Sequence, residues 1–303
     1  MMLPEKVVLC EVGPRDGLQN EDKLLTVDEK VDLINDIVDA GFKVIEVGSF
    51  MHPKAVPAMA NTDEVFKKLD LKEGVEYRGL VGNAKGVERA AACGCKKVKL
   101  NISASKGHNL ANLNKTPEES MAGFKECVDL AHQNNIEISG SISMPFGSPW
   151  EYKIPVEDVE KIVEKYLELG IKEISLSDAS GMAMPKQVKE VCSHMKEKYP
   201  EVKWILHFHN TRGMGIANIY AGMEAGINWF DTSFGGLGGC PFVPGAAGNV
   251  VTEDVLHMLD EMGIETGINL DKTIEIAKKI GKLFNTDLPG FILKAGKNTD
   301  LLK

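Results

Sequence analysis

Val7-Val-Leu-Cys-Glu-Val12, running directly into Gly13-Pro-Arg-Asp-Gly17, is the stretch that separates two folds. The first six residues read as a short strand buried on both faces, as parallel sheets require. An open doubly wound sheet and a closed barrel both begin this way. The dinucleotide-binding form of the open sheet carries G-x-G-x-x-G at its first turn. Here Gly-Pro-Arg-Asp-Gly takes that place, which favours the barrel and sets Arg15 and Asp16 at a strand exit.

Working outward, strand-like runs recur at residues 43–47, 77–81, 97–101, 136–143, 173–177, 204–208 and 228–232. Between them lie amphipathic stretches at 27–40, 62–69, 85–93, 117–134, 156–169, 185–198, 214–225 and 252–262. Strand followed by helix, eight times over, is the order of a (β/α)8 TIM barrel, an α/β fold. The helix punctuation agrees. Thr26 with Glu29, and Thr116-Pro117 with Glu119, have capping-box spacing. Gly41, Gly94, Gly170, Gly226 and Gly263 each follow a helical run, where positive φ is often needed. A further helix at 271–283 is expected to pack across one end.

The chain has 303 residues, long for an ordinary domain but normal for one barrel, and no low-complexity linker interrupts it. One catalytic domain over residues 1–303 is expected, with the barrel at about 7–265 and a C-terminal helical extension at about 266–303. Hydrophobic residues make up 43%, enough for a sizeable core. No apolar run approaches a membrane span and no signal peptide is legible at residues 1–5, so the expected location is cytoplasmic. A net charge of −9 argues against nucleic-acid and membrane partners. The six cysteines form no C-x-x-C pair and read as reduced, small core residues, with Cys240 the exception.

Chemistry in a barrel gathers where strands run into helices. Those places hold Glu11 and Arg15-Asp16, then Glu46 and Ser49, then Ser175-Leu-Ser177-Asp178, then His207-Phe-His209, and finally a glycine-rich loop with Cys240 and Asn249. On a strand, residues i and i+2 share a face, so His207 and His209 can converge on one ion. Two hydrogen-bonded barrel histidines are the alternative. Asp16 adds an acidic group from another strand, and Asn249 could add a carbonyl oxygen. Such a set suits Mg²⁺ or Mn²⁺, with Zn²⁺ and Co²⁺ as alternatives. Arg15 is either a surface ion pair with Asp16 or a fixed cation for a developing oxyanion. Glu46, inside Val44-Ile-Glu-Val47, needs a partner, and Arg15 is the candidate. The loop from Phe234 to Asn249 lacks the Lys-Ser/Thr of a phosphate loop, and Cys240 on it is either an acid/base or a spare cysteine. His52, His108, His132, His194 and His257 show no convergent partners, and four or five are expected at the surface.

Together, Gly13-Pro-Arg-Asp-Gly-Leu-Gln-Asn-Glu21, Val44-Ile-Glu46 with Ser49-Phe50, His207-x-His209 and the loop from Gly235 to Asn249 resemble the 3-hydroxy-3-methylglutaryl-CoA lyase family. These are barrel metallolyases related to Claisen condensing enzymes. The resemblance runs from residue 7 to about 270. It implies a divalent metal on Asp16, His207, His209 and Asn249. It implies Arg15 as enolate stabiliser, Cys240 as acid/base on a closing loop, and Glu46 and Asp178 as active-site acids. Gln19, Ser49 and Ser175 match substrate-side positions, and Glu253 matches an acidic position after the loop. The implied reaction is a retro-Claisen cleavage of hydroxymethylglutaryl-CoA to acetyl-CoA and acetoacetate, as in leucine degradation. An acyl-CoA is thus the implied partner, and a homodimer the implied assembly.

The chain departs from that pattern at Asn210-Thr-Arg212-Gly, where Asp-Thr-Tyr-Gly is usual, and at Trp150, Ala179 and Gly235-Gly236. Arg212 is expected to pair with a substrate carboxylate or a neighbouring acid. Such changes shift specificity more readily than reaction class. A citramalyl-type lyase, a condensing synthase and a non-catalytic metal-binding barrel are the other readings.

Overall fold

The computed structural model describes residues 3–239 and 245–301. Its strands are β1 (Val8–Glu11), β2 (Val44–Ser49), β3 (Glu76–Val81), β4 (Lys97–Ser103), β5 (Glu137–Ser143), β6 (Glu173–Asp178), β7 (Lys203–Phe208) and β8 (Trp229–Thr232). All pair in parallel and in sequence order. The ring closes at β1 and β8, where Glu11 lies opposite Thr232. The helices are α1 (Val27–Asp39), α2 (Thr62–Lys68), α3 (Ala84–Ala92), α4 (Lys106–Leu113), α5 (Pro117–Ala122), α6 (Phe124–Gln133), α7 (Val156–Glu168), α8 (Pro185–Lys198), α9 (Gly215–Glu224), α10 (Thr252–Glu261), α11 (Leu270–Phe284) and α12 (Phe291–Ala295). This is the (β/α)8 barrel expected from the alternation. Among the described residues no helix is long and apolar enough to cross a membrane.

Local chemistry explains the boundaries. Both capping boxes form: the Thr26 and Thr116 hydroxyls accept from the Glu29 and Glu119 backbones, and the carboxylates reach back. Gly41, Gly94, Gly170, Gly226 and Gly263 all have positive φ. Two expectations are corrected. The helix anticipated over 117–134 is broken at Gly123, a poor helix former whose N–H turns back to Ser120 O at 3.1 Å. α11 does not cross an end of the barrel. It packs in the outer ring against α1 and α10, with Lys279 Nζ 2.6 Å from Asp36 and the Asn269 N–H on Ala40 O. α4 was not anticipated. Gly107, Asn109 and Asn112 weaken its pattern, and Ser105 starts it by accepting from His108 N.

The apolar core lies between sheet and helices. On β4, Val98, Leu100 and Ile102 face outward into it, while Lys97, Lys99 and Asn101 alternate inward. The barrel interior is therefore charged. Arg78, fully buried, pairs with Glu76 and Glu173 near the N-terminal end, and Lys97 joins the same carboxylates. One layer higher, Lys99 lies among Glu46 and Asp231. Buried ions of this kind persist only when paired.

Candidate functional site

After β1 the chain makes a single π-helical turn, Gly13–Gly17. The N–H groups of both Asp16 and Gly17 return to Val12 O. Such wide turns are frequent at functional sites. This one directs two successive side chains to different partners: the Arg15 Nε donates to Glu46 Oε1, and its Nη1 donates to Asp16. A side chain at Gly13 has no room, since its Cβ would lie 2.2 Å from the Phe234 ring and 2.7 Å from Glu11 Oε1.

Across the mouth, β7 carries His207 just before its last residue and leads into His209, whose backbone N–H is held by Asp178 O at 3.1 Å. Asp16 Oδ2 lies 3.4 Å from His209 Nε2 and 3.9 Å from His207 Nε2. One ligand atom from each of the three residues falls within 4.8 Å of the others, so the triad could hold a metal ion. Burial works to raise the Asp16 carboxyl, but Arg15 and the two histidines hold it well below the usual carboxylate range. It stays anionic at neutral pH. Asn249 joins from the end of the glycine-rich loop. Its Nδ2 donates to Asp16 Oδ2 at 2.6 Å and to Leu237 O at 2.9 Å, and its buried Oδ1 has no hydrogen-bond partner among the described residues. A side-chain amide bonded to Asp16, with its buried oxygen unpartnered among the described residues, fits a divalent cation held by the triad.

The triad lines a cavity of about 390 Å³ at the C-terminal mouth. Arg15, Gln19 and Asn20 form one wall. Met51, Val56, Leu80 and Leu113 form an apolar side. Asn101, Ser141, Ser143 and Ser177 form a hydroxyl- and amide-rich floor, with Ala179 at its edge.

The remaining sequence-selected residues separate by position. Glu46 is fully buried and held ionised, Arg15 and Lys99 outweighing the cost of burial. The Asp178 carboxylate turns away from the cavity and accepts from Ser180 Oγ and from the backbones of Met182 and Ala183, so it shapes the loop after β6. Ser49 Oγ accepts from Met51 N, and Ser175 lies one inward step below Ser177; neither lines the cavity. Among the described residues Arg212 pairs with no acid. It is exposed, and its Nη1 donates to the carbonyls of Ser180 and Gly181. Glu11 and Glu253 are buried and clamp the start of the glycine-rich loop, accepting from the N–H groups of Phe234 and Gly235. Cys240 lies outside the described residues.

Two buried charges carry no role in the sequence reading. Lys99 and Asp231 give the same signal as Glu46, a charge inside an apolar strand. His108, expected at the surface, is 3% exposed and lines the cavity, and burial pushes its imidazole down to about 4.

A parallel barrel with a metal-competent carboxylate–histidine triad and a buried arginine at its C-terminal mouth has the layout of a metal-dependent barrel enzyme. The comparisons narrow the class. The HMGL-like family model matches residues 6–280. The hydroxymethylglutaryl-CoA lyase YngG of Bacillus subtilis is 40% identical, over 99% of this chain and 100% of that protein. The (R)-citramalyl-CoA lyase of Chloroflexus aurantiacus is 37% identical, over 96% and 95%. The solved structure of an HMG-CoA lyase from Acinetobacter baumannii, in complex with coenzyme A and 3-methylmalate, is 44% identical with a TM-score of 0.95, over 100% of this chain and 99% of that one. The chain belongs to the HMGL-like family.

Proposed function

We propose that this protein is a divalent-metal-dependent carbon–carbon lyase that cleaves 3-hydroxy-3-methylglutaryl-CoA to acetyl-CoA and acetoacetate. The observation that carries the reading is the Asp16–His207–His209 triad with Arg15 hydrogen-bonded beside it at the cavity wall. The full-length match to the Bacillus subtilis lyase supports it.

In this reading Asp16, His207, His209 and the Oδ1 of Asn249 hold Mg²⁺ or Mn²⁺, which when bound supplies Lewis-acid polarisation of substrate oxygens. Arg15, locked by Glu46 and Asp16, presents its cation where negative charge develops on the thioester enolate. Removal of the tertiary hydroxyl proton lets that oxygen become the ketone of acetoacetate. The breaking C–C bond leaves its electron pair on the acetyl-CoA enolate, and Cys240 returns a proton to that carbon. Glu46 acts by fixing Arg15, and Asp178 by fixing the loop and the His209 backbone. Gln19 lines the cavity and Ser49, Ser175 and Arg212 do not, and in this reading all four stay on the substrate side. The same reading takes residues 1–303 as one catalytic domain and extends to a cytoplasmic homodimer, which light scattering of the purified protein tests.

A second reading, cleavage of a citramalyl-type thioester, is favoured by Ala179 at the cavity edge and by the comparable match to the Chloroflexus lyase. Incubating the Mn²⁺-loaded protein with each thioester separates the two. Acetoacetate from hydroxymethylglutaryl-CoA supports the first. Turnover of citramalyl-CoA alone replaces the substrate and keeps the chemistry, and turnover of neither overturns the lyase reading.

A further inference from the structure

Lys99 has no part in that chemistry, yet it sits at the junction of both arms of the site. It is 2% exposed on the inward face of β4, below the cavity. Its Nζ lies 2.6 Å from Glu46 Oε2 and 3.0 Å from Asp231 Oδ2. Glu46 uses its other oxygen to accept from Arg15 Nε. Asp231 Oδ2 in turn lies 3.3 Å from His207 Nδ1. Both carboxylates are buried to 1% exposure or less. Two such anions facing one space repel each other unless a cation stands between them. The ring nitrogen of His207 not aimed at Asp16 is the one that meets Asp231, and a carboxylate at Nδ1 requires the proton there. That leaves the Nε2 lone pair directed at the triad.

We propose that Lys99 is a positioning residue. By holding Glu46 and Asp231 together it sets the Arg15 guanidinium on one side and the Nδ1–H tautomer of His207 on the other. Partner groups behind a ligating histidine typically alter metal affinity by about 10- to 100-fold when removed. Lys99 reaches His207 through Asp231, so its effect is that of a residue one step further back. The inference rests on the metal role given above to His207, and its test separates the two.

Mn²⁺ titration of the substrate-free protein is the primary readout. Lys99→Met and Asp231→Asn should each weaken Mn²⁺ binding by about 10-fold or more. The Lys99→Met/Asp231→Asn double variant should be no weaker than the worse single one, because both act along one path. Imidazole ¹⁵N shifts of the metal-free wild type should show His207 protonated at Nδ1, and Lys99→Met should move it toward a tautomer mixture. Wild-type protein that binds no Mn²⁺ overturns the metal reading itself. Wild-type affinity in a folded Lys99→Met variant, additive losses in the double variant, or a wild-type Nε2–H tautomer overturns the positioning role. If Lys99→Met does not fold, unchanged Mn²⁺ affinity in Asp231→Asn overturns it equally.

Discussion

The backbone N–H of Phe234 donates to Glu11 Oε1 at 3.0 Å, so the first strand holds the root of the loop that follows the last one. Glu11 is fully buried, and burial raises its carboxyl to about 8 against the lowering effect of its hydrogen bonds from Thr252, Gly13 and Phe234. A carboxyl raised on folding adds no instability below its unfolded value and costs progressively more as pH rises to the folded one. Glu11 should therefore subtract on the order of a few kcal/mol between about pH 4.5 and pH 8. Glu11→Gln keeps the acceptor for Gly13 and Phe234. It should raise the melting temperature at pH 8 and leave it nearly unchanged at pH 5. An equal shift at both pH values would show that Glu11 does not titrate across this range.

Gly238 tests how tightly the two ends of the site are joined. It has φ +94°, and a Cβ there would sit 2.3 Å from the Asp16 carbonyl oxygen. Gly238→Ala should cost at least ~2 kcal/mol in denaturant titration and weaken Mn²⁺ binding by displacing Asp16. Gly74 also has positive φ, with nothing within 4 Å of an added Cβ. Gly74→Ala should therefore cost only ~1 kcal/mol and leave Mn²⁺ affinity intact. Equal losses in the two variants would mean that the approach to Asp16 does not matter.

Cys240→Ser is expected to keep the wild-type melting temperature and to lose about 100-fold or more of acetoacetate release, the scale of a missing general acid. Full activity would return Cys240 to the ordinary cysteines.

His207→Ala should lower Mn²⁺ affinity by at least about 100-fold in isothermal titration, more than the change expected from a supporting group. Unchanged stoichiometric binding would remove His207 from the ligand set.

By contrast, Thr26→Ala removes one half of a capping box at the start of α1, at a residue that does not line the cavity. It should cost ~1 kcal/mol of stability with turnover and Mn²⁺ affinity unchanged. A loss of activity beyond the loss of folded protein would point to a link between α1 and the site.

Much of the architecture is local and so was legible. Strand periodicity, capping boxes and positive-φ glycines depend on neighbours in sequence, and they located all eight strands to within two residues at most ends. His207 and His209 were legible for the same reason, being two apart on one strand. The ion network was not. Lys99 and Asp231 are separated by 132 positions, and nothing in either strand alone says that they meet. Arg212 shows the same limit from the other side. Its charge is conspicuous in sequence, but its direction depends on the fold of the loop after β6, whose carbonyls it serves. His108 was hidden because the helix that buries it is built from poor helix formers.

The triad draws its carboxylate from the first strand's exit and its imidazoles from the seventh, and Asn249 lies 233 positions after Asp16. During synthesis at about 5–20 residues per second, roughly ten to fifty seconds pass between the two. For most of that interval, until His209 is made, the nascent chain carries Asp16 without its histidines, so it has no binding pocket for an ion to capture. Metal acquisition is thereby deferred until the chain is almost complete. Two fragments divided anywhere between Asp16 and His207 should each be metal-blind, regaining affinity only when they reassemble.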